Sequence, residues 1–129
     1  FISPSVSNAS ILQRIKEAYL FWTSILDHMS KNPRYGIGNR IENKLLDLLE
    51  FAYFTYFITD RDKKISGVNK CILILDTIKF LVHTSWEGKF ISHKQYEEIG
   101  LKLKEVGRMF GGWLKSLENP EKKNLTQTK

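Results

Sequence analysis

At 129 residues the chain is long enough for one domain with its own core, and its 42% hydrophobic and 26% charged residues are ordinary globular proportions that speak against a disordered chain or a membrane protein. One cysteine, Cys71, excludes an internal disulfide and suits a reducing, cytoplasmic setting. The net charge of +6 is uneven: residues 1–60 hold six basic and six acidic side chains, residues 61–129 fourteen and eight, so an acidic partner such as a nucleic acid is expected to meet the second half.

Residues 1–8 are expected to form an extended or disordered lead, with no charged-then-apolar order of a signal peptide. A first helix over about 9–30 places Ile11, Ile15, Ala18, Trp22, Ile25 and Met29 on one stripe, with Leu12, Tyr19 and Leu26 beside it. Ser7 or Asn8 can cap it, and Asn32-Pro33 should end it, because proline disfavours helix in the residue before it. Pro33, Gly36 and Gly38 read as a turn-rich connection. A second helix over about 37–60 then follows with Ile41, Leu45, Leu48 and Ala52 inward.

The run Phe51 to Ile58 is apolar or aromatic around nearly its whole circumference, which predicts a covering neighbour. Its aromatics also suit a strand, but it lacks strict alternation and continues the helical spacing from Ile41. The stretch from Leu45 to Ile58, broken by Asp47 and Glu50, falls short of the roughly 20 residues a membrane span needs. No membrane association is expected.

Asp60 to Lys64 reads as a charged break whose Asp-x-Asp is a solvated turn and cap. A third helix over about 66–87 carries Val68, Ile72, Leu75, Ile78, Val82 and Trp86, widened by Ile74 and Leu81, and Gly88 is expected to stop it in a left-handed conformation. Ser92 caps a fourth helix over about 93–117, in which Tyr96, Ile99, Leu103, Val106, Phe110, Trp113 and Leu117 alternate at spacings of 3 and 4. Gly100, Gly107 and Gly111 fall within about 20° of one line and predict a close-packing face. Residues 118–129 read as a flexible basic tail over a bundle of residues 9–117. Four such helices with short connections make an all-α, up-down-up-down antiparallel four-helix bundle.

No catalytic set emerges. His28, His83 and His93 are scattered, with no H-E-x-x-H, no Cys pair and no Gly-rich loop after a strand, so no metal, cofactor or enzymatic activity is expected. The basic residues are more informative. Lys104, Arg108 and Lys115 lie within about 40° of one another on the fourth helix. Lys79 with His83 and Arg40 with Lys44 are pairs four residues apart on the third and second. Such clusters neutralise phosphates. The competing reading is a solvated face broken by Glu97, Glu98 and Glu105, with Arg108 paired to Glu105 or Glu97.

Three stretches carry a family resemblance: Pro33-Arg34-Tyr35-Gly36-Ile37-Gly38-Asn39-Arg40-Ile41, Ile91-Ser92-His93-Lys94-Gln95-Tyr96-Glu97 and Glu105-Val106-Gly107-Arg108-Met109-Phe110-Gly111-Gly112-Trp113-Leu114. With the helix spacing between them, residues 9–117 resemble the Avd-like four-helix-bundle accessory proteins of diversity-generating retroelements, and their relatives encoded by intervening sequences of large-subunit ribosomal RNA genes. The resemblance implies a homopentameric barrel, a reverse transcriptase as partner, and binding of RNA or DNA through backbone charge. It puts Arg40 and Arg108 at motif positions, and Lys79 and His83 where relatives carry arginines. A histidine there makes a weaker patch, imidazole being mostly uncharged at neutral pH. The alternative is a bundle that binds only protein, its charge incidental, or an intervening-sequence protein with no reverse transcriptase partner.

Overall fold

The apolar stripes read along the chain become the lines along which four long helices meet. The computed structural model describes residues 10–119; the expected cap at Ser7 or Asn8 and the tail from Pro120 onward lie outside them. Helices α1 (Ser10–Leu26), α2 (Asn39–Tyr56), α3 (Arg61–Glu87) and α4 (His93–Glu118) form a four-helix bundle, with no strand among the described residues. The aromatic run is therefore helical as far as Tyr56. Ile15, Trp22, Ile41, Leu45, Leu48, Leu75, Ile78, Ile99, Leu103 and Phe110 are fully or almost fully buried, so the stripes of α1, α2 and α4 face the core as their spacing requires.

Each helix packs on its sequence neighbour, and α4 closes the ring on α1. Three contacts show the antiparallel order. Trp22, near the end of α1, donates its indole N–H to the Gly38 carbonyl at 2.9 Å, just before α2. His83, late in α3, meets the Tyr96 hydroxyl at 2.9 Å, early in α4. Arg61, first in α3, donates to the carbonyls of Leu117 (2.7 Å) and Glu118 (3.1 Å), satisfying acceptors that the end of α4 leaves open.

The third stripe is shifted. Cys71 and Ser85 are buried where Ile72 and Trp86 were expected, and those two larger residues lie half-buried at the flank. Ser85 can sit inside because its hydroxyl donates to the Leu81 carbonyl at 3.0 Å. The Cys71 thiol, pushed up to about 11 by burial against a smaller opposing pull from its hydrogen bond to Thr55, is an inert core group.

The connection at Pro33 also departs from expectation. Helix α1 stops at Leu26, and an α-helical turn, Lys31–Pro33, runs without a break through a π-helical segment, Arg34–Gly38, into α2. Ser30 precedes that turn in extended conformation, so Pro33 falls among the first residues, whose N–H groups have no partner inside a helix. The proline therefore starts a helix instead of ending one. Asp60 accepts from the Lys63 N–H at 2.9 Å, which converts the expected charged break into the first turn of α3. Ser92 and Gln95 form the reciprocal cap that opens α4. After α3 the left-handed residue is Lys89, with φ of 63°, and not Gly88. Gly88 serves clearance: a Cβ there would stand 2.7 Å from the Phe90 ring.

Of the α4 glycines expected to form a close-packing face, Gly107 does so, a Cβ there standing 3.3 Å from Lys79 Nζ and 3.4 Å from Leu75 Cδ2, but the tightest approaches occur at other glycines. A Cβ on Gly38 would meet Leu26 Cδ2 at 2.7 Å and the Pro33 carbonyl oxygen at 3.2 Å, whereas Gly100 and Gly111 have nothing within 4 Å. A Cβ on Gly67 would stand 2.8 Å from both Thr55 Cγ2 and Oγ1, and Thr55 is a stiff, buried side chain whose hydroxyl donates to the Phe51 carbonyl. Gly67→Ala is expected to lose about 1–2 kcal/mol, overpacking outweighing the gain in helix propensity. Adding Thr55→Ala should restore most of it. Urea unfolding of the single and double variants measures both effects.

Candidate nucleic-acid interface

Between α3 and α4 lies an open cleft of about 480 Å³, whose walls include Lys79, His93, Tyr96, Glu97, Gly100 and Lys104. Its width follows from the glycines. The Lys79 ammonium stands 3.3 Å from where a Cβ of Gly107 would be, and Gly100 leaves bare backbone on the opposite wall. The acidic wall residue is occupied, since Glu97 Oε1 lies 2.7 Å from His93 Nε2. No carboxylate lies within 4 Å of Lys79 or Lys104 among the described residues. Tyr96 of the wall belongs to an aromatic cluster beside the cleft: Trp86 stacks on Tyr96 with centroids 4.8 Å apart, and the His83 ring sits 5.6 Å from Trp86. His83 Nε2 is 3.7 Å from Glu87.

Arg40 and Lys44 join this region from the other side of α3. At 100° per residue both project from the flank of α2 that carries Phe51, and Phe51 lies under the Lys70 ammonium of α3 at 4.9 Å. Thr55 of α2 meets Gly67 and hydrogen-bonds Cys71 one turn later, so it stands level with about residue 69 of α3 and sets the level of the two antiparallel helices. Roughly three turns further on, that register brings Lys44 level with Phe80 and Arg40 level with His83. Five of the seven sequence candidates, Arg40, Lys44, Lys79, His83 and Lys104, thus form one band across α2, α3 and α4. Neither Arg40 nor Lys44 has a carboxylate within 4 Å among the described residues.

The other two differ. Arg108 is clasped by Glu105 through Nε (2.9 Å) and Nη2 (2.6 Å), and that hydrogen-bonded pairing holds the Glu105 carboxyl below its ordinary value. Its charge is already answered within the chain. Lys115 is exposed on the same side of α4 but about 16 Å along it from Lys104, beyond the end of the band. Sequence reasoning passed over Arg34 and Tyr35, having read Pro33 to Gly38 as a turn. In the π segment the Arg34 guanidinium lies 5.8 Å from the centre of the exposed Tyr35 ring, and its Nε is buried without a hydrogen-bond partner among the described residues.

A family model described as bAvd-like matches residues 9–117, a span that covers the described bundle from end to end except its last two residues. The chain belongs to the bAvd-like family. No curated protein and no solved structure matches it. Among the described residues of this bAvd-like chain, no group of three His, Cys, Asp or Glu is arranged to hold a metal ion, and no helix is long and apolar enough to cross a membrane. Outside the band, the aromatic end of α2 keeps Phe54 61% and Phe57 53% exposed, with Tyr53 edge-on to both rings.

The open glycines allow a clean check of this surface. Because an alanine methyl meets nothing at Gly100 or Gly111, each substitution should stabilise the isolated chain by about 1 kcal/mol through helix propensity. The thermal midpoint should rise by about 3–6 °C. A fall in the midpoint instead would mean that another molecule covers this face.

Proposed function

We propose that this chain is a non-catalytic accessory protein of a diversity-generating retroelement, one that binds the reverse transcriptase together with its template RNA or complementary DNA in the cytoplasm. The observation that carries the nucleic-acid part is the band of Arg40, Lys44, Lys79, His83 and Lys104, whose lysines and arginine have no carboxylate within 4 Å among the described residues. Cations left unanswered on one face suit phosphates, which are read by shape and charge and not by base edges. Membership of the bAvd-like family supports the accessory role.

In this reading the exposed aromatic end of α2 is covered by a second copy, and a homopentameric ring repeats the band around its surface. The ring holds the template near the polymerase and performs no chemistry itself. Sedimentation of the isolated chain at micromolar concentration tests the assembly: a pentamer is expected, and a monomer removes it. Anisotropy of labelled structured RNA and DNA over a salt series tests the band. Affinity should fall steeply as salt rises, and absent binding at about 50 mM salt, or a flat slope, overturns the nucleic-acid role. Co-purification with a reverse transcriptase encoded beside this chain tests the partner.

A second reading is a module that binds protein alone, or an intervening-sequence protein with no reverse transcriptase partner. It draws on Phe54 and Phe57, an apolar surface that a protein covers better than an RNA does.

A further inference from the structure

At the centre of the basic band stands a residue that no charge argument finds. Phe80 is 68% exposed, although burying such a ring is worth about 1.5–3 kcal/mol. It projects from α3 at the pole opposite the core line of Val68, Leu75, Ile78 and Val82. No ring pairs with it and no cation lies over it among the described residues, in contrast to Phe51, Phe21 and the Trp86 cluster. Lys79 precedes it and His83 is on the next turn, both turned towards α4. On its other side stand Lys44, at the same level, and Arg40.

We propose that Phe80 is a stacking platform for one base of a single-stranded nucleic acid that crosses the band from α2 to α4. The inference rests on the nucleic-acid reading above and narrows its ligand to an unpaired strand. Charge complementarity selects the occupant: level with the ring the flanking charges are Lys44 and Lys79, with Asp76 one turn nearer the start of α3, so the occupant that fits is polyanionic and also offers a flat apolar face. An unpaired strand offers both, with phosphates towards Lys44 and Lys79 and a base between them. A duplex cannot, because its bases are stacked on one another. The other exposed large apolar residues of α3 and of the cleft are aliphatic. Leu73 lies two turns away from the cations, roughly 10 Å, and Leu101 stands on the rim of the cleft.

The test compares the full chain with Phe80→Ala, Phe80→Leu and Phe80→Trp, using labelled oligouridylate and a hairpin duplex of equal length at about 100 mM salt. Alanine and leucine should weaken oligouridylate binding by about 5- to 100-fold, with hairpin binding and the salt slope unchanged, and tryptophan should retain it. Leucine is the discriminating variant, since it preserves an apolar contact and removes the π face. Unchanged oligouridylate affinity in Phe80→Ala overturns the proposal. So does an equal loss on both probes, or a change in sedimentation that marks Phe80 as a subunit contact. A wild-type chain that binds neither probe removes the underlying reading, and shows this before any variant is compared.

Discussion

Reversing Lys44, Lys79 and Lys104 together to glutamate is expected to weaken binding to structured RNA at about 100 mM salt by at least ~100-fold, and to lower the salt slope by about three. The three ammonium groups lie on three different helices, so no single local distortion accounts for a joint loss. None has a carboxylate partner among the described residues, and their removal breaks no internal ion pair. The helices should therefore stay folded, which circular dichroism and the thermal midpoint confirm or deny in the same samples. Two substitutions serve as controls. Arg108→Gln removes a guanidinium already clasped by Glu105, and Lys115→Gln removes an ammonium beyond the band; each should change affinity less than about twofold. A triple variant that binds within threefold of the parent would return the charge to the status of a solvated surface.

Trp22→Ala is expected to cost about 3–5 kcal/mol, a large part of the 5–15 kcal/mol that holds a domain of this kind together. Trp22 is the largest fully buried side chain, and its indole N–H reaches the Gly38 carbonyl in the π segment. Two losses coincide: a void in the core where α1 meets α2, and a buried carbonyl deprived of its side-chain donor. Trp22→Phe separates them, keeping an aromatic body without the N–H, and should cost about 1–3 kcal/mol. Urea unfolding followed by circular dichroism reads both. A shift under 1 kcal/mol in the alanine variant would mean that the contact between α1 and the π segment is peripheral.

The bundle was legible because burial imposes a period on sequence. The lines through Ile11 and Trp22, Ile41 and Leu48, and Ile99 and Phe110 recur at helical spacing and are buried as that spacing demands. The third line failed by one position twice. Hydrophobicity favours Ile72 and Trp86 over Cys71 and Ser85, whereas packing against α2 and α4 favours the smaller pair. Proline and glycine misled at Pro33 to Gly38, since their helix-breaking tendency belongs to helix interiors and Pro33 stands at a beginning. The glycine line of α4 was real as geometry but makes a close-packing contact at one position of three: Gly107 lies against Lys79 and Leu75 of α3, Gly100 and Gly111 stay open, and the tightest approaches are at Gly38 and Gly67.

The candidate site was legible only helix by helix. Lys79 with His83, Arg40 with Lys44, and Lys104 are visible as local spacings. Their union is set by the antiparallel register of α2 on α3, a long-range fact carried by the meeting of Thr55 with Gly67. Phe80 left no signal because it is an aromatic residue out of phase with its stripe, and sequence alone does not tell such a residue from an indifferent surface position. Arg34 and Tyr35 were hidden by the turn reading of their own segment.

The π segment sets the clocking of everything downstream of it. A wider turn takes up an extra residue, and returning Arg34–Gly38 to ordinary α-helix by deleting one residue would twist α2 by about 100° relative to Pro33. Ile41 and Leu48 could then stay in the core only if the reversal over residues 27–30 were rebuilt. If that reversal held instead, Arg40 and Lys44 would swing out of line with Lys79, and the aromatic end of α2 would face a different direction. One surplus residue thus ties the aim of the cations and the aim of the apolar end to a single angular offset.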